Sequence, residues 1–317
     1  MLYTRRDVGK IALASVPLAR TLGAAQINST FNGVRIGAIT YSFNSIANPD
    51  PEAVIKAMVE IGLGEAELMS NHCEAVAGAP SAGRGGGGGR GAALTPEQQA
   101  ARAEAQAKLV KWRSDANAAT WRAVRKKFND AGIEVALLCY NMSDRMTDED
   151  IEYGFSMAEG LGVKGITTST TLTMAKRIAP IADKHKLLVG YHGHDATNDP
   201  NQTATLESYD TLMAYGKYNG VNLDIGHFTA ANYDAVAFIK QHHDKITNLH
   251  VKDMKKDHGT YTPFGEGDVP IKAVLQLLKK EKYGFSGDIE LEYRIPPESN
   301  LIAEMKKCLA YCKDCLA

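Results

Sequence analysis

Short apolar runs rich in Val, Ile and Leu alternate along the chain with longer amphipathic segments, a pattern typical of alternating strands and helices. It predicts eight strands, at residues 35–40, 65–69, 134–140, 165–168, 187–192, 221–224, 246–251 and 287–293. Helical periodicity predicts helices between them, including residues 51–61, 120–131, 148–161, 233–241 and 271–282. Five glycines stand where a helix end favours a left-handed residue: Gly62, Gly132, Gly162, Gly220 and Gly284.

Strands that alternate with helices build a parallel sheet, and eight such units are the number that closes a (β/α)8 TIM barrel. We therefore predict an α/β protein with a single TIM barrel over residues 33–315. An open, doubly wound sheet is the structural alternative. It would be expected to carry a glycine-rich phosphate turn after its first strand, whereas residues 41–44 are Tyr-Ser-Phe-Asn.

The segment after the second strand, residues 78–113, interrupts this alternation. It contains Gly-Arg-Gly-Gly-Gly-Gly-Gly-Arg-Gly at 83–91, and then a helix start with Thr95 as N-cap and Pro96 at the first helical position. Polyglycine cannot bury enough apolar surface to order itself, so we predict a flexible loop plus an inserted helix that ends near Trp112. The loop is either a mobile lid or a neutral insertion.

The first 25 residues have the composition of a targeting segment. Arg5 and Arg6 precede a weakly apolar run at 11–22, and small residues follow up to Ala25. This pattern predicts a twin-arginine signal peptide cleaved near Ala25, and hence an exported, periplasmic protein in a bacterium. The apolar run is interrupted by Pro17 and Arg20 and is too short to span a bilayer, so we expect no stable membrane anchor.

Bulk composition narrows the partners only slightly. The 317 residues are 44% hydrophobic, enough for one substantial core, and the formal net charge is −1. Because a nucleic-acid binder normally shows a basic excess, we predict a small-molecule partner and no nucleic acid.

Cys308, Cys312 and Cys315 have helical spacing in the last predicted helix. They form either a metal or redox cluster or, as we favour, part of a buried helix face.

The polar residues at strand ends carry the chemistry. In a TIM barrel, functional side chains come from the C-terminal ends of the strands. Strands five to eight end in the segments 190–195, 222–227, 249–253 and 289–293, and each of them presents His, Asp or Glu. Because four neighbouring strands converge in this way, we predict one divalent metal ion at the barrel mouth. Mixed nitrogen and oxygen ligands suit Mn, Co, Fe, Ni or Zn.

Four short motifs resemble those of the xylose-isomerase-like barrel superfamily. They are Leu-Asp-Ile-Gly-His at 223–227, Leu-His-Val-Lys-Asp at 249–253, Gly-Glu-Gly-Asp-Val at 265–269 and Ile-Glu-Leu-Glu-Tyr at 289–293. That superfamily includes sugar isomerases and epimerases, hydroxypyruvate isomerase, inosose dehydratase and the endonuclease IV type. The resemblance covers roughly residues 33–315, outside the glycine-rich insertion.

The resemblance implies one metal ligand on each of strands five to eight, namely His192, Asp224, His250 and Glu292. Glu290 has the same strand parity as Glu292, which makes it a rival or a partner. Many epimerase-type relatives carry Glu at the position of His192. Since a metal-bound imidazole nitrogen is not a free base, the two-carboxylate epimerase mechanism is disfavoured.

A one-base reaction fits this ligand set better. We predict a metal-dependent isomerase, or a lyase that dehydrates or eliminates next to a carbonyl, with the metal polarising an oxygen of the substrate. Because export separates the protein from phosphorylated metabolites, the expected substrate is a non-phosphorylated sugar, keto-sugar or cyclitol. Glu292, His194 or His227 would move the proton, and Lys252 would stabilise an enolate or donate a proton.

Several of these residues have a second interpretation. His194 and His227 could bind substrate or support the ligands, and Lys252 could simply pair with Asp253. The full set of expected substrate contacts is Tyr41, Glu67, His72, His194, His227, Lys252 and Glu266. Glu67 and His72 could instead cap the second strand.

Three other functions remain open. One is a sugar epimerase with a modified acid/base pair, and another is a sugar-binding barrel without turnover. The third is an endonuclease IV-like DNA repair nuclease, which the balanced charge and the small number of His and Glu positions disfavour. The sequence also leaves open whether the protein forms a homo-oligomer.

Overall fold

The computed structural model describes residues 25–47, 50–81 and 95–317. Residues 1–24 of the predicted signal peptide and residues 82–94 of the glycine-rich segment therefore lie outside the described residues. Among the helices in the described ranges, none has the length and apolar character needed to cross a bilayer.

Eight parallel strands close into a barrel, and three short strands are appended to it. In chain order the strands are β1 (Thr30–Phe31), β2 (Val34–Ile39), β3 (Glu65–Met69), β4 (Glu134–Cys139), β5 (Gly165–Thr168), β6 (Leu188–His192), β7 (Asn219–Asp224), β8 (Ile246–Val251), β9 (Asp253–Met254), β10 (Tyr261–Thr262) and β11 (Gly287–Ile289). The barrel runs from β2 through β3 to β8 in chain order and closes through β11, which pairs with both β8 and β2. β1 pairs antiparallel with β2, and β10 pairs antiparallel with β9.

Helices surround the barrel, and a 3-10 turn (Thr40–Phe43) follows β2. The helices are α1 (Ala53–Ile61), α2 (Ser70–Val76), α3 (Pro96–Asp115), α4 (Ala118–Asp130), α5 (Asp148–Leu161), α6 (Leu172–His185), α7 (Leu206–Ala214), α8 (Ile225–Ala230), α9 (Ala235–His242), α10 (Ile271–Glu281) and α11 (Leu301–Leu316). The single TIM barrel predicted from the hydrophobic pattern is thereby confirmed.

The predicted strands are all present, with differences at their ends. The eighth was predicted to reach residue 293, but regular pairing stops at Ile289, beyond which the chain enters the loops of the barrel mouth. Helix α8 was not predicted because all six of its residues are buried, so it has no polar face and no helical periodicity.

Of the five predicted helix-ending glycines, three are confirmed and two are wrong; Gly132, which follows α4 with φ of 82°, is one of the confirmed three. Gly62 and Gly162 end α1 and α5 in the left-handed region, with φ of 92° and 66°. Gly220 instead lies inside β7, where a Cβ would stand 2.4 Å from the carbonyl oxygen of Lys245. At the end of α10 the left-handed residue is Lys282 rather than Gly284.

The inserted helix α3 is attached to the barrel by its last turns. Thr95 and Gln98 form the capping box predicted for its start, but the helix continues to Asp115, beyond the predicted end near Trp112. Leu109 is its one fully buried residue, and Arg113 makes two hydrogen bonds of 2.7 and 2.9 Å to Glu74 of α2. Most of the preceding turns are exposed.

The barrel interior is unusually polar. Asn222, Asn248 and Asp288 are almost fully buried on β7, β8 and β11. Each alternates with an apolar neighbour that faces the helices, as strand geometry requires. Glu67 of β3 bonds to Asn248 of β8 at 2.6 Å. These strands are not neighbours in the sheet, so the contact crosses the interior and lies beneath the barrel mouth.

Candidate active site

A cavity of about 390 Å³ opens at the C-terminal ends of the barrel strands. Its lining combines imidazoles, carboxylates, hydroxyls and one lysine: Ile39, Tyr41, Glu67, Met69, Cys139, Asn141, Thr167, Thr168, Ser169, His192, His194, Asp195, His227, His250, Lys252, Tyr261, Glu290 and Glu292. Most of the residues predicted from strand ends therefore meet in one place. Asp224 lies immediately below them and is fully buried.

Four side chains at the cavity floor form a compact donor cluster, His192, Asp224, His250 and Glu290, with one ligand atom from each within 4.8 Å of the others. His192 Nε2 lies 3.9 Å from Asp224 Oδ2, and His250 Nδ1 lies 4.0 Å from the same oxygen and 3.2 Å from Glu290 Oε2. Tetrahedral ligands about 2.1 Å from a metal hold their donor atoms about 3.4 Å apart, so the cluster has the dimensions of a metal site.

The two imidazole rings of the cluster, those of His192 and His250, are each oriented by a hydrogen bond to a residue outside the cluster. His192 Nδ1 lies 2.6 Å from Asn222 Oδ1, and His250 Nε2 lies 2.7 Å from Glu67 Oε2. Each hydrogen bond occupies the ring nitrogen that points away from the cluster and leaves the other nitrogen facing it. Metal-binding histidines are commonly oriented by such partners.

Two buried atoms of the cluster lack hydrogen bonds. They are Asp224 Oδ2, which has an ion pair with Lys252, and His250 Nδ1. Burial lowers the pKa of His250, but the charges of Glu67 and Glu290 outweigh it and hold that pKa well above its usual value. The site therefore brings carboxylate oxygens and imidazole nitrogens together at one point, which fits a divalent cation.

Lys252 is also buried at this point. Its ammonium lies 2.8 Å from Asp224, 3.0 Å from Glu290 and 2.6 Å from Glu292. Burial lowers its pKa, but the three carboxylates outweigh that effect and raise it well above the usual value. Lys252 is therefore a cation in the cavity and is unsuited to act as a base.

The alternative in which Lys252 pairs with Asp253 is wrong. The Asp253 carboxylate instead accepts hydrogen bonds from the backbone N–H groups of Met254, Gly265, Gly267 and Val269. It thereby fixes the loop that carries the Gly-Glu-Gly-Asp-Val motif.

The structure places Glu290, the rival considered from strand parity, in the donor cluster instead of Glu292. Both residues point to the same side, but Glu292 lies one strand repeat nearer the mouth. Its carboxylate is 19% exposed and is the hydrogen-bond partner of Lys252. This arrangement gives the two carboxylates different environments.

His194 and His227 line one side of the cavity, with their ring centres 5.2 Å apart. Burial and the neighbouring His227 lower the pKa of His194, so His194 is a neutral imidazole at pH 7. His227 Nδ1 lies 3.2 Å from Asp195, and this contact holds the pKa of Asp195 well below its usual value. Together with His192, the two histidines also form a second group of close donor atoms.

Of the predicted substrate contacts, Glu67 lines the cavity, whereas His72 and Glu266 do not. Glu67 lines the cavity floor and is almost fully buried, where it bonds to Thr167, Asn248 and His250. His72 lies outside the cavity, because α2 turns it towards Thr40 and Asn44 at 3.0 Å each. Glu266 is exposed in the loop after β10 and also lies outside the cavity.

Sequence reasoning missed the residues that support the cluster: Asn222, Asn248, Asp288, Asp195 and Tyr261. Asn222, Asn248 and Asp288 could have been predicted to face the barrel interior. Side chains alternate along a strand, and in β7, β8 and β11 polar residues occupy every second position up to the strand end. Asp195 and Tyr261 lie in loops, where no periodic pattern marks them.

The protein is thus a (β/α)8 barrel with a cluster of carboxylates and histidines at the C-terminal ends of its strands, where barrel enzymes have their active sites. The family model described as xylose isomerase-like TIM barrel matches residues 170–312. These residues contain all four members of the donor cluster. The resemblance predicted from the motifs is thus confirmed over this part of the chain.

Curated relatives are inosose dehydratases, matched over part of their length. That of Lactiplantibacillus plantarum is 30% identical over 122 residues, which cover 32% of this chain and 39% of that protein. That of Salmonella agona is 27% identical over 140 residues, which cover 38% of this chain and 44% of that protein. The chain thus matches about two fifths of the length of these relatives.

Solved structures share the fold over almost their whole length. A probable 3-DHS dehydratase, AsbF, from Bacillus anthracis has a TM-score of 0.59 at 16% identity, covering 86% of this chain and 97% of that chain. A sugar phosphate isomerase/epimerase from Parabacteroides distasonis has a TM-score of 0.57 at 16% identity, covering 91% of this chain and 96% of that chain.

Proposed function

We propose that the protein is a divalent-metal-dependent enzyme that dehydrates an uncharged keto-sugar or keto-cyclitol. The observation that carries this proposal is the convergence of four donor groups, two of them imidazoles whose outer nitrogens are held by hydrogen bonds. A bound metal would polarise the substrate carbonyl and acidify the adjacent C–H group. His192, Asp224, His250 and Glu290 would hold it.

The protein's own side chains would move the protons. His194 is neutral and lies at the cavity wall, so it can accept the proton from the carbon next to the carbonyl. Lys252 carries the positive charge that stabilises the developing oxyanion. His227, supported by Asp195, is placed to protonate the departing hydroxyl group, which leaves as water.

The shared location of His194 and His227 favours elimination over epimerisation. An epimerase must remove a proton from one face of the carbon and return one to the other, which requires acid/base groups on both faces. Here His194 and His227, which are not members of the donor cluster, lie next to each other on one side of the cavity. The partial matches to inosose dehydratases support the same reaction class.

The charge balance of the cavity supports an uncharged substrate. Among the lining residues that the structure describes, Lys252 is the one lysine, there is no arginine, and three carboxylates already surround that lysine. A phosphate or carboxylate would therefore meet net negative charge. Hydroxyl and amide groups at Asn141, Thr168 and Ser169 suit a polyol instead.

The test is turnover of keto-inositols and keto-sugars by the purified protein, with loss of water followed by mass spectrometry. We expect activity that a chelator abolishes and that Mn²⁺ or Co²⁺ restores. The His227→Gln variant should lose at least about 10²-fold in kcat, as expected when a general acid is removed.

His258→Gln is the matched control for His227→Gln. His258 also contacts Asp195 at 3.2 Å, but it does not line the cavity, so its loss should leave kcat nearly unchanged. Sugar binding without turnover in the metal-loaded protein would contradict the proposal and support a binding protein. Cleavage of an abasic-site DNA duplex would support a nuclease.

A further inference from the structure

A continuous chain of buried side chains lies beneath the donor cluster and joins its two histidines. Asn222 links to Asn248, and Asn248 links to Glu67. Both asparagines are 0% exposed and Glu67 is 1% exposed, so bulk water cannot replace any of these partners. Each hydrogen bond in the chain therefore constrains the next one.

The direction of these hydrogen bonds is set by Glu67. Its carboxylate accepts and does not donate, so the Asn248 amide must turn its NH₂ group towards Glu67. Asn248 Nδ2 accordingly lies 2.6 Å from Glu67 Oε2, and it also lies 2.7 Å from Asp288 Oδ2. The reversed amide would press its carbonyl oxygen against the Glu67 carboxylate, which already accepts from Thr167 and His250. The Asn248 carbonyl oxygen therefore faces Asn222.

Asn222 must then donate to Asn248, and its Nδ2 lies 2.6 Å from Asn248 Oδ1. Its own carbonyl oxygen is left to face His192, 2.6 Å from Nδ1. An amide oxygen only accepts, so the proton of the neutral His192 ring must sit on Nδ1. The unprotonated Nε2 is consequently the nitrogen that faces Asp224 and the cluster.

The same carboxylate oxygen also orients the second histidine. Glu67 Oε2 accepts from His250 Nε2 at 2.7 Å, which leaves Nδ1 of that ring towards the cluster. His192 and His250 thus present opposite nitrogens, Nε2 and Nδ1, and both choices trace to Glu67. A carboxylate ligand on β6 would not need such a device, because its two oxygens are equivalent.

We infer that Asn248 and Asn222 are positioning residues that set the tautomer of His192, and thereby prepare the cluster to bind a divalent metal. This inference rests on the proposed function only in its second half. The tautomer is a property of the metal-free protein and can be measured without any substrate or metal.

The first test is the tautomeric state of the histidines in the metal-free, ¹⁵N-labelled protein, from long-range imidazole ¹H–¹⁵N correlations at neutral pH. The loss of one spin system in His192→Gln assigns His192. We expect its proton on Nδ1 in the wild type and a mixture of both tautomers in Asn248→Ala, where the Asn222 amide becomes free to reverse. Asn222→Asp keeps an acceptor beside His192 and should retain the Nδ1 proton.

Asn219→Ala is the matched control. Asn219 is also a fully buried asparagine on β7, but its side chain bonds to the Leu212 carbonyl and the Tyr191 hydroxyl and makes no hydrogen bond to His192, Asn222 or Asn248. It should lower thermal stability much as Asn248→Ala does, while the His192 tautomer stays as in the wild type. A change of tautomer in the control would show that general loosening of the barrel is the cause, and would overturn the inference.

The second test is titration with Co²⁺, followed by its visible absorption. We expect Asn248→Ala to bind Co²⁺ about 10–100-fold more weakly than the wild type, and Asn219→Ala to bind it equally well. A wild-type protein with His192 protonated on Nε2 overturns the inference even if no variant folds. Failure of the wild type to bind any metal would contradict the proposed function, and the tautomer measurement would still decide the positioning role.

Discussion

Single residues in the cavity differ in role according to their depth below the barrel mouth. Glu290 and Glu292 are one strand repeat apart on the same side of the chain. The deeper carboxylate faces Asp224 and His250, and the shallower one faces Lys252 and the solvent. Depth therefore separates a carboxylate of the donor cluster from one that lies nearer the mouth beside Lys252.

The two glutamates should respond differently to the same substitution. Glu290→Gln removes a charged donor from the cluster, so we expect Co²⁺ affinity to fall by at least about 10-fold. Glu292→Gln should leave Co²⁺ affinity within about 3-fold of the wild type, because its carboxylate contacts Lys252 instead. Metal titration of the two purified variants checks this, and the reverse order of affinities would restore Glu292 as the ligand.

Gly267 is required by the buried Asp253 carboxylate. A Cβ at position 267 would stand 1.9 Å from Asp253 Oδ1, which accepts backbone N–H bonds from the same loop. We expect Gly267→Ala to destabilise the fold by about 1–3 kcal/mol, measured by chemical denaturation. Gly284→Ala is the control, since a Cβ there meets nothing within 4 Å. Equal stability of the two variants would count against this role of Asp253.

Most cluster residues could be predicted from the sequence, because they sit at strand ends and in or near motifs that resemble those of the superfamily. His192, Asp224 and His250 were predicted on these grounds together. The choice between Glu290 and Glu292 could not be made, since parity is the same for both. Strand alternation marks Asn222 and Asn248 as inward-facing, but their hydrogen-bond partners lie on other strands, so the network that they form could not be predicted.

At the scale of elements, α5 and α6 pack side by side and are joined through a half-buried histidine. His185, the last residue of α6, lies 2.7 Å from both Glu159 and Glu152 of α5, and its ring stacks on Phe155 at 5.0 Å. Burial lowers the pKa of His185, but the two carboxylates outweigh it, so the net pKa is raised. The contact is therefore pH-dependent.

The folded pKa of His185 is above its unfolded value of about 6.5, so its contribution is complete below that pH and is lost as pH rises through the folded pKa. We expect His185→Gln to lower the stability by roughly 1 kcal/mol at pH 5.5 and by less at pH 9. Thermal melts at both pH values measure the difference. His243→Gln is the control for loss of an imidazole, since that ring contacts a backbone carbonyl and the Tyr283 ring. A deficit in His185→Gln that grows with pH would contradict the assigned sign.

At the scale of the whole molecule, the barrel supplies a rigid frame whose strands deliver polar groups from β3, β6, β7, β8 and β11 to one point. Closure between β2 and β11 brings the first and last strands together. The inserted helix α3 is held mainly by its last turns, through Leu109 and the bond from Arg113 to Glu74, and its exposed part lies away from the barrel.

We also propose that the N-terminal segment exports the folded protein. Replacement of Arg5 and Arg6 by lysine should strongly reduce the periplasmic fraction of the protein, measured by cell fractionation and immunoblotting. Arg20→Lys, in the same segment but outside the pair, should be exported normally. Unchanged periplasmic yield of the double variant would remove the twin-arginine assignment.

The sequence by itself determined what is local along the chain. Apolar alternation specified the strands, capping residues such as Thr95 and Gly62 specified helix ends, and strand-end position brought His192, Asp224 and His250 to one rim. Only the tertiary structure decided what crosses the barrel: Glu290 in the cluster, His72 outside the cavity, and the asparagines beneath His192. Those outcomes depend on distances between strands that are far apart in sequence, and no periodic pattern encodes such distances.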